Sequence, residues 1–140
     1  MTAGYSGTPL PAKLGMKANS RAALVGAPPG FEAALVPRPD GAVVSRRLSR
    51  NLDLIVAFVR ERASLEDQWD RLTGALTPAG MLWVAWPKKA SKVPTDMTED
   101  VVRAVCLPRG WVDTKVCAID EVWSGLRLVL RVANRPGVSR

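Results

Sequence analysis

The chain has 140 residues and a mass of 15.1 kDa, which fits a single domain that buries about two thirds of its unfolded surface. Apolar residues make up 47% and charged residues 24% of the sequence, so the composition excludes a disordered chain. The longest apolar runs fall short of the ~20 residues that span a bilayer, and the amino terminus lacks a secretion signal, so we expect a cytoplasmic protein with no membrane partner. The net charge of +7 favours anionic partners.

The sequence contains no histidine. This absence excludes Ser-His-Asp and Cys-His catalytic machinery and zinc sites that use histidine. The two cysteines, Cys106 and Cys117, lie on a predicted helix and a predicted strand, and we interpret them as reduced structural thiols. We therefore predict no metal site.

The first third of the chain predicts a short helix, a strand and a proline-containing loop. Thr8 and Pro9 are typical of a helix start, and Gly15 is typical of a helix end. The apolar run 22–26 predicts the first core strand, which leads into the loop Gly-Ala-Pro-Pro-Gly at 26–30. A dinucleotide-binding loop uses glycines so that its backbone can approach a pyrophosphate, whereas the two prolines here remove N–H donors.

A second strand is predicted over 42–45, and it runs directly into the basic segment 46–50. No acidic residue follows this strand to bind a ribose hydroxyl, as nucleotide-cofactor folds usually require. Together with the proline-containing loop, this pattern predicts that the protein binds neither S-adenosylmethionine nor a nicotinamide dinucleotide. We therefore predict no cofactor.

The middle of the chain predicts a strand, a helix and a second strand of the parallel type. The run 52–59 reads as a buried strand, and Ser64 is predicted to cap the helix that follows. Four apolar residues then recur at spacings of four, three and four, which places them on one face of that helix. They are Leu65, Trp69, Leu72 and Leu76. A turn at 77–80 is predicted to lead into the next strand.

The run Met81–Trp86 is the strand around which the fold is organised. Its six apolar residues do not alternate with polar ones, which is typical of a strand covered by helices on both faces. Pro87 cannot donate to a strand ladder, so the strand is predicted to end there. Lys88 and Lys89 then fall at the carboxyl end of the strand, where open α/β sheets bind ligands.

The last third predicts a helix and a pair of antiparallel strands. Thr98 is predicted to cap the helix, and the segment 108–110 ends it. Strands are predicted over 111–119 and 126–132, and the short connection between them makes them antiparallel. The fold class is therefore α/β, a three-layer Rossmann-like open sheet that is mainly parallel with an antiparallel carboxyl-terminal strand pair. We predict a single domain over 1–133 and a flexible tail over 134–140.

Four segments carry a resemblance to a known family. They are 5–17 (YSGTPLPAKLGMK), 82–89 (LWVAWPKK), 95–103 (TDMTEDVVR) and 115–127 (KVCAIDEVWSGLR). With these segments the chain resembles the bacterial family catalogued as domain of unknown function 3052. A looser similarity, at the level of fold, is to the class I methyltransferase core. The first resemblance supplies no catalytic residue, and the chain departs from the second at both cofactor positions, the loop after the first strand and the acid after the second.

Three interpretations of function follow. The first is a non-catalytic binding or regulatory protein that recognises an anionic small molecule or a protein partner at the carboxyl edge of the sheet. The second is a degenerate methyltransferase-like enzyme in which Asp96 and Asp120 serve as acid and base and Lys88 binds an anion. The third is a sequence-independent nucleic-acid binder that uses the basic segment 46–50. Homo-oligomer formation stays open.

The candidate ligand-binding residues are Trp86, Lys88, Lys89, Thr95, Asp96, Asp120, Trp123 and Ser124. Each also has a structural interpretation. The two tryptophans are alternatively core side chains with one polar edge, and the acidic and hydroxyl residues are alternatively parts of tight turns.

Overall fold

A computed structural model of the protein describes residues 8–136. Six strands form one sheet in the order β2-β1-β3-β4-β6-β5. The strands are β1 (Arg21–Val25), β2 (Val43–Ser45), β3 (Leu52–Phe58), β4 (Leu76–Pro87), β5 (Trp111–Ala118) and β6 (Trp123–Leu130). The helices are α1 (Leu10–Lys13), α2 (Arg62–Gly74) and α3 (Glu99–Cys106).

The sheet is mainly parallel, as predicted. β1, β2, β3 and β4 pair in parallel, whereas β6 is antiparallel to both β4 and β5. β3 and β4 are adjacent at the centre of the sheet, which confirms the position expected for two strands that are apolar on both faces. The predicted fold class, a Rossmann-like sheet with an antiparallel pair at the carboxyl-terminal end, is confirmed.

The helices α2 and α3 cover one face of the sheet. Leu65, Trp69 and Leu72 of α2 are buried there, which confirms three members of the helix face predicted from their spacing. The fourth, Leu76, was placed wrongly, because α2 ends at Gly74 and Leu76 is the first residue of β4. Trp69 packs edge-to-face against Trp111 of β5 at a centroid distance of 5.9 Å. This face carries the larger of the two apolar clusters, to which α2, α3 and the strands all contribute.

The opposite face is covered by much shorter elements. These are α1 and a 3₁₀ turn over Phe31–Leu35, which bury Leu14, Phe31 and Leu35 against the sheet. Phe58 of β3 is in edge-to-face contact with Phe31 and with Trp123, each at a centroid distance of 5.0 Å. The third layer therefore depends on a few large side chains rather than on a long helix.

Trp83 joins this thin layer to the central strand. Its side chain is fully buried, and its indole Nε1–H donates a hydrogen bond of 2.9 Å to the carbonyl oxygen of Leu14. Gly125 makes room for the ring, because a Cβ atom there would lie 3.0 Å from Trp83 Cε3 and 2.8 Å from Ile119 Cδ1. The end of α1 is thus fixed to the middle of the sheet by a buried hydrogen bond.

Several element boundaries differ from the predicted ones. α1 begins at Leu10 with Pro9 at its N-cap, so Thr8 does not cap it. α2 begins two residues before Ser64, and its N-cap is Glu61. The segment predicted as a turn before the central strand belongs to β4, which starts at Leu76 and has an irregular register opposite Leu52. The last strand also starts earlier, since β6 begins at Trp123.

The predicted flexible tail lies partly outside the described residues. Asn134 donates a hydrogen bond of 3.1 Å to the carbonyl of Gly110, and Arg135 donates one of 3.1 Å to the carbonyl of Leu130. Residues 137–140, and the amino-terminal residues 1–7, are not described. The first part of the predicted tail therefore packs against the end of β6.

Replacing Trp83 by phenylalanine tests the buried hydrogen bond. The substitution leaves the Leu14 carbonyl without a donor in the core, and we expect this to lower the free energy of unfolding by about 1–3 kcal/mol beyond the cost of lost volume. Trp86→Phe is the matched control, because no acceptor lies against the Trp86 indole among residues 8–136. Urea unfolding of both variants measures the difference, and equal losses would show that the hydrogen bond contributes nothing.

Candidate functional site

The carboxyl end of the central strand carries a cluster of three lysines. β4 ends at Pro87, as predicted, and the next amide, Lys88 N–H, donates a hydrogen bond of 2.7 Å to the carbonyl of Val122. A 3₁₀ turn over Lys89–Ser91 follows and closes at Lys92, which adopts the left-handed conformation. We call Lys88, Lys89 and Lys92 the rim lysines.

None of the rim lysines has an ion-pair partner within residues 8–136. Lys88 is half-buried, whereas Lys89 and Lys92 are exposed. Three uncompensated cations within five residues create a locally positive potential at the end of the sheet where open α/β folds bind ligands.

Thr95 and Asp96 lie at the end of the neighbouring strand, β3, because they bind the loop that follows it. The Thr95 hydroxyl and the Asp96 amide both donate to the carbonyl of Arg60. Asp96 Oδ1 accepts a hydrogen bond of 2.8 Å from the Arg62 amide, the first of α2. The carboxylate that caps α2 therefore comes from 34 residues away, and it also complements the positive end of the helix dipole.

The carboxylate of Asp120 is also hydrogen-bonded to backbone amides. Its Oδ1 accepts hydrogen bonds of 2.8 Å from the amides of Val122 and Trp123, which closes the tight turn between β5 and β6. Ser124 lies within β6 and pairs with Trp86 of β4, rather than lying in a connecting loop. The interpretation of Asp120 as a turn residue accounts for both of its hydrogen bonds.

The two candidate tryptophans are buried on opposite faces of the sheet. Trp86 packs in the cluster beneath α2 and α3, and Trp123 packs in the cluster beneath the 3₁₀ turn, with 7% of each residue's surface exposed. Neither indole nitrogen has a hydrogen-bond partner within residues 8–136, and no unpartnered side-chain nitrogen of that range is sealed from solvent. Each ring therefore has an apolar body in the core and one edge that reaches water.

The eight candidate residues do not form one constellation. Lys88, Lys89, Thr95 and Asp96 lie at the carboxyl ends of the two central strands, whereas the two tryptophans are separated by the sheet. Asp96 and Asp120 each bind backbone amides, and neither forms an ion pair within residues 8–136. The arrangement offers a cationic rim beside carboxylates that accept hydrogen bonds from backbone amides.

Arg46 holds the loop at the carboxyl end of β1. It follows β2 directly, and its guanidinium donates hydrogen bonds of 2.8 Å to the Ala27 carbonyl and 2.7 Å to the Pro28 carbonyl. The same group forms a bidentate ion pair with Glu32, with distances of 2.7 and 2.9 Å. Sequence reasoning noted Arg46 only as part of a basic segment, since no local pattern links it to partners 14 to 19 residues earlier.

The ion pair shifts the proton affinity of both groups. The hydrogen bond from Arg46 is the main cause that lowers the pKa of Glu32 from 4.5 to about 2, with a smaller contribution from a backbone hydrogen bond. The pKa of Arg46 is raised by the same contact. Arg46 is thus engaged within the chain, which leaves fewer cations of the segment 46–50 for a nucleic-acid phosphate.

The thiols lack the features of reactive cysteines. Burial raises the pKa of the Cys106 thiol to about 11, and burial also raises the pKa of Cys117. Neither cysteine forms a disulfide. Within the described part of the chain, no group of three His, Cys, Asp or Glu side chains is placed to hold a metal ion.

Comparison with known proteins identifies the fold. No protein-family model matches the chain and no curated protein is significantly similar to it, so membership of the domain of unknown function 3052 family stays a prediction. A SAM-dependent methyltransferase from Aquifex aeolicus shares 13% identity at a TM-score of 0.51, over 84% of this chain and 85% of that one. Aeropyrum pernix fibrillarin, solved with bound S-adenosyl-L-methionine, shares 15% identity at a TM-score of 0.54, over 90% of this chain and 70% of that one.

A protein from Bordetella parapertussis described as a possible exported protein is also similar. It has a TM-score of 0.59 and 13% identity, and the alignment covers 86% of this chain but only 65% of that one. Identities this low establish a shared fold and nothing about activity. The chain therefore has a methyltransferase-like Rossmann fold. Within residues 8–136, no helix has the length and apolar character needed to cross a membrane.

The ion pair between Arg46 and Glu32 predicts a specific loss of stability in acid. Because the folded-state pKa of Glu32 lies below its ordinary value, its contribution is present above about pH 4.5 and is lost as the pH falls toward 2. We expect Glu32→Gln to flatten the decline of the unfolding free energy between these values. Urea unfolding across that range measures it. Glu121→Gln, at an exposed carboxylate with no ion pair within residues 8–136, is the control. If the unfolding free energy of Glu32→Gln declined with falling pH as steeply as that of the wild type, the assignment of this loss to Glu32 would be contradicted.

Proposed function

We propose that the protein is a non-catalytic binding protein that recognises an anionic small molecule, or an acidic surface of a protein partner, at the carboxyl edge of its sheet. The observation that carries this proposal is the cluster of rim lysines. These cations lie at the end of the central strand, and no carboxylate within residues 8–136 neutralises them. Lysine acts there as a point charge, which suits an anion more than a neutral ligand.

The loop after β1 supports a function without a nucleotide cofactor. In dinucleotide-binding folds this loop points N–H donors at a pyrophosphate. Here two of its carbonyls point at the guanidinium of Arg46, and its prolines remove donors. Arg46 itself stands directly after β2, where such folds carry an acid for the ribose. A ligand that bound these two carbonyls would have to displace the guanidinium of Arg46.

The hydrogen bonds of the candidate carboxylates to backbone amides support a function without catalysis. Asp96 caps α2 and Asp120 closes a turn, so each is already hydrogen-bonded in a way that stabilises the fold. A general acid or base must instead reach a substrate proton. The chain also has no histidine that could take this role.

A methyltransferase-like enzyme is the second candidate, and the shared fold is the observation that favours it. In that case S-adenosylmethionine would occupy the crevice outside the carboxyl ends of β1 and β2. The two candidates differ in one measurable property, which is affinity for this cofactor.

Isothermal titration calorimetry with S-adenosylmethionine separates the two. We expect no saturable heat, because two prolines remove N–H donors from the loop and Arg46 binds the carbonyls of Ala27 and Pro28. A dissociation constant in the low micromolar range, about 8 kcal/mol of binding free energy, would instead favour the methyltransferase-like enzyme.

The double variant Lys88→Ala/Lys89→Ala tests the rim directly. We expect it to weaken binding of inorganic pyrophosphate and to reduce capture of acidic protein partners. The unfolding free energy should change by less than about 1 kcal/mol because unpaired surface charges contribute little to stability. Pyrophosphate-induced thermal shift and pull-down from lysate measure the two effects.

Arg50→Ala/Arg131→Ala is the matched control, since it removes the same charge from two exposed arginines elsewhere on the protein. Equal behaviour of the two double variants would show that pyrophosphate responds only to net charge, and the rim would then have no specific role.

A further inference from the structure

A concave surface lies at the end of the sheet opposite the rim lysines. It is a cleft of about 440 Å³ between the segment 15–20, the first residues of β3 and β4, and the side chain of Arg127 from β6. Its polar lining includes Lys17, Asn19, Ser20 and Asp53. The rim lysines are not among its lining residues, so the cleft is separate from the site described above.

Arg127 is the central cation of this cleft. It is half-buried, its Nε donates a hydrogen bond of 2.9 Å to the Thr114 hydroxyl, and one terminal nitrogen lies 3.9 Å from the sulfur of Met81. No carboxylate of residues 8–136 forms an ion pair with it. A partly desolvated guanidinium with free outer N–H groups favours a bidentate oxyanion.

The neighbouring charges reinforce this preference. Lys17 is exposed and has no ion pair within the described chain. Lys13, Lys115 and Arg127 all act electrostatically on the Cys117 thiol, where they oppose the rise in pKa that burial causes. These cations therefore lie near Cys117 of β5, and one of them, Arg127, also lines the cleft together with Lys17.

One acidic residue gives the cleft a second kind of contact. Asp53 is half-buried in β3, and its Oδ2 accepts a hydrogen bond of 2.9 Å from the Arg21 amide. The other carboxylate oxygen has no hydrogen-bond partner among residues 8–136. It is an acceptor for a hydroxyl group, and it would repel a second phosphate.

We propose that this cleft binds a sugar-sized phosphate monoester, with its phosphate on Arg127 and Lys17 and a hydroxyl group on Asp53. The volume falls within the range of small-molecule sites, about 300–1,000 Å³. A polyanion such as RNA is disfavoured, because its phosphates would have to pass the Asp53 carboxylate and because the surface is concave rather than an extended groove.

Calorimetry with ribose 5-phosphate and with inorganic phosphate tests the assignment. For the wild type we expect ribose 5-phosphate to bind more tightly than inorganic phosphate. Arg127→Gln should weaken ribose 5-phosphate by about tenfold or more, since it removes a charged hydrogen-bonding group. Lys17→Ala, at an exposed position that does not affect folding, should weaken it by a smaller factor of about two to five.

Asp53→Asn separates the two halves of the site. The amide keeps an acceptor for Arg21 N–H but removes the negative charge, so we expect inorganic phosphate to bind as well as before or better, while the advantage of ribose 5-phosphate shrinks. Arg50→Ala/Arg131→Ala, which removes two exposed cations that do not line the cleft, should leave the ribose 5-phosphate affinity unchanged. The rim is measured separately, by the pyrophosphate-induced thermal shift of Lys88→Ala/Lys89→Ala, so failure of this proposal is distinguishable from failure of the rim.

Three results would overturn the proposal. The first is no ribose 5-phosphate binding by the wild type, and the second is equal affinity in the wild type, Arg127→Gln and Lys17→Ala. The third is tighter binding of a short RNA oligomer than of ribose 5-phosphate, combined with an equal loss of RNA affinity in Arg127→Gln and in Lys88→Ala/Lys89→Ala. That result would indicate general attraction of polyanions to a basic surface.

Discussion

The hydrogen bonds from Arg46 to the loop after β1 determine what the carboxyl edge of this sheet can do. Two prolines leave the loop poor in donors, and its carbonyls at Ala27 and Pro28 need donors of their own. Arg46 supplies them, and Glu32 neutralises the charge that this brings. These two carbonyls are therefore satisfied without a ligand. In a phosphate-binding loop, backbone N–H groups donate hydrogen bonds to an anion. In this loop, two backbone carbonyls accept hydrogen bonds from a cationic side chain.

Because of this contact, the shared fold does not by itself predict cofactor binding at the loop after β1. The sheet order and the antiparallel end of the sheet are those of a methyltransferase-like protein, yet the cofactor positions carry a cation and prolines. Available positive charge lies instead at the end of β4 and in the cleft around Arg127, at opposite ends of the sheet. In both places cations have no ion-pair partner within residues 8–136, which is why function is better sought there than in the crevice beside the loop after β1.

Local signals predicted the elements that local physics controls. The unbroken apolar run to Trp86 and the proline after it define β4 and its end, and the Thr98 side chain caps α3 with a hydrogen bond to the Val101 amide. The spacing from Leu65 to Leu72 gives the buried face of α2. The lysines after Pro87 were placed correctly at the carboxyl end of β4 because the strand must stop there.

The features that sequence reasoning missed all depend on distant contacts. Ser64 resembles a cap, but α2 starts earlier because Asp96 reaches its first amide from another loop. The contact of Arg46 with the loop and the convergence of Lys17, Asp53 and Arg127 on one cleft join segments that have no sequence pattern in common. Periodicity and capping rules act within about one turn of helix or one strand, so they carry no information about such pairs.

An NMR titration monitored through backbone amide shifts tests the central claim most directly, since it reports on the loop and the rim in one sample. S-adenosylmethionine and inorganic pyrophosphate would be added separately to the wild-type protein. The account predicts that S-adenosylmethionine leaves the amides of 26–32 in place and that pyrophosphate shifts those of 88–92. Saturable shifts at 26–32 with S-adenosylmethionine would mean that the loop opens to a cofactor despite Arg46, and would contradict the account.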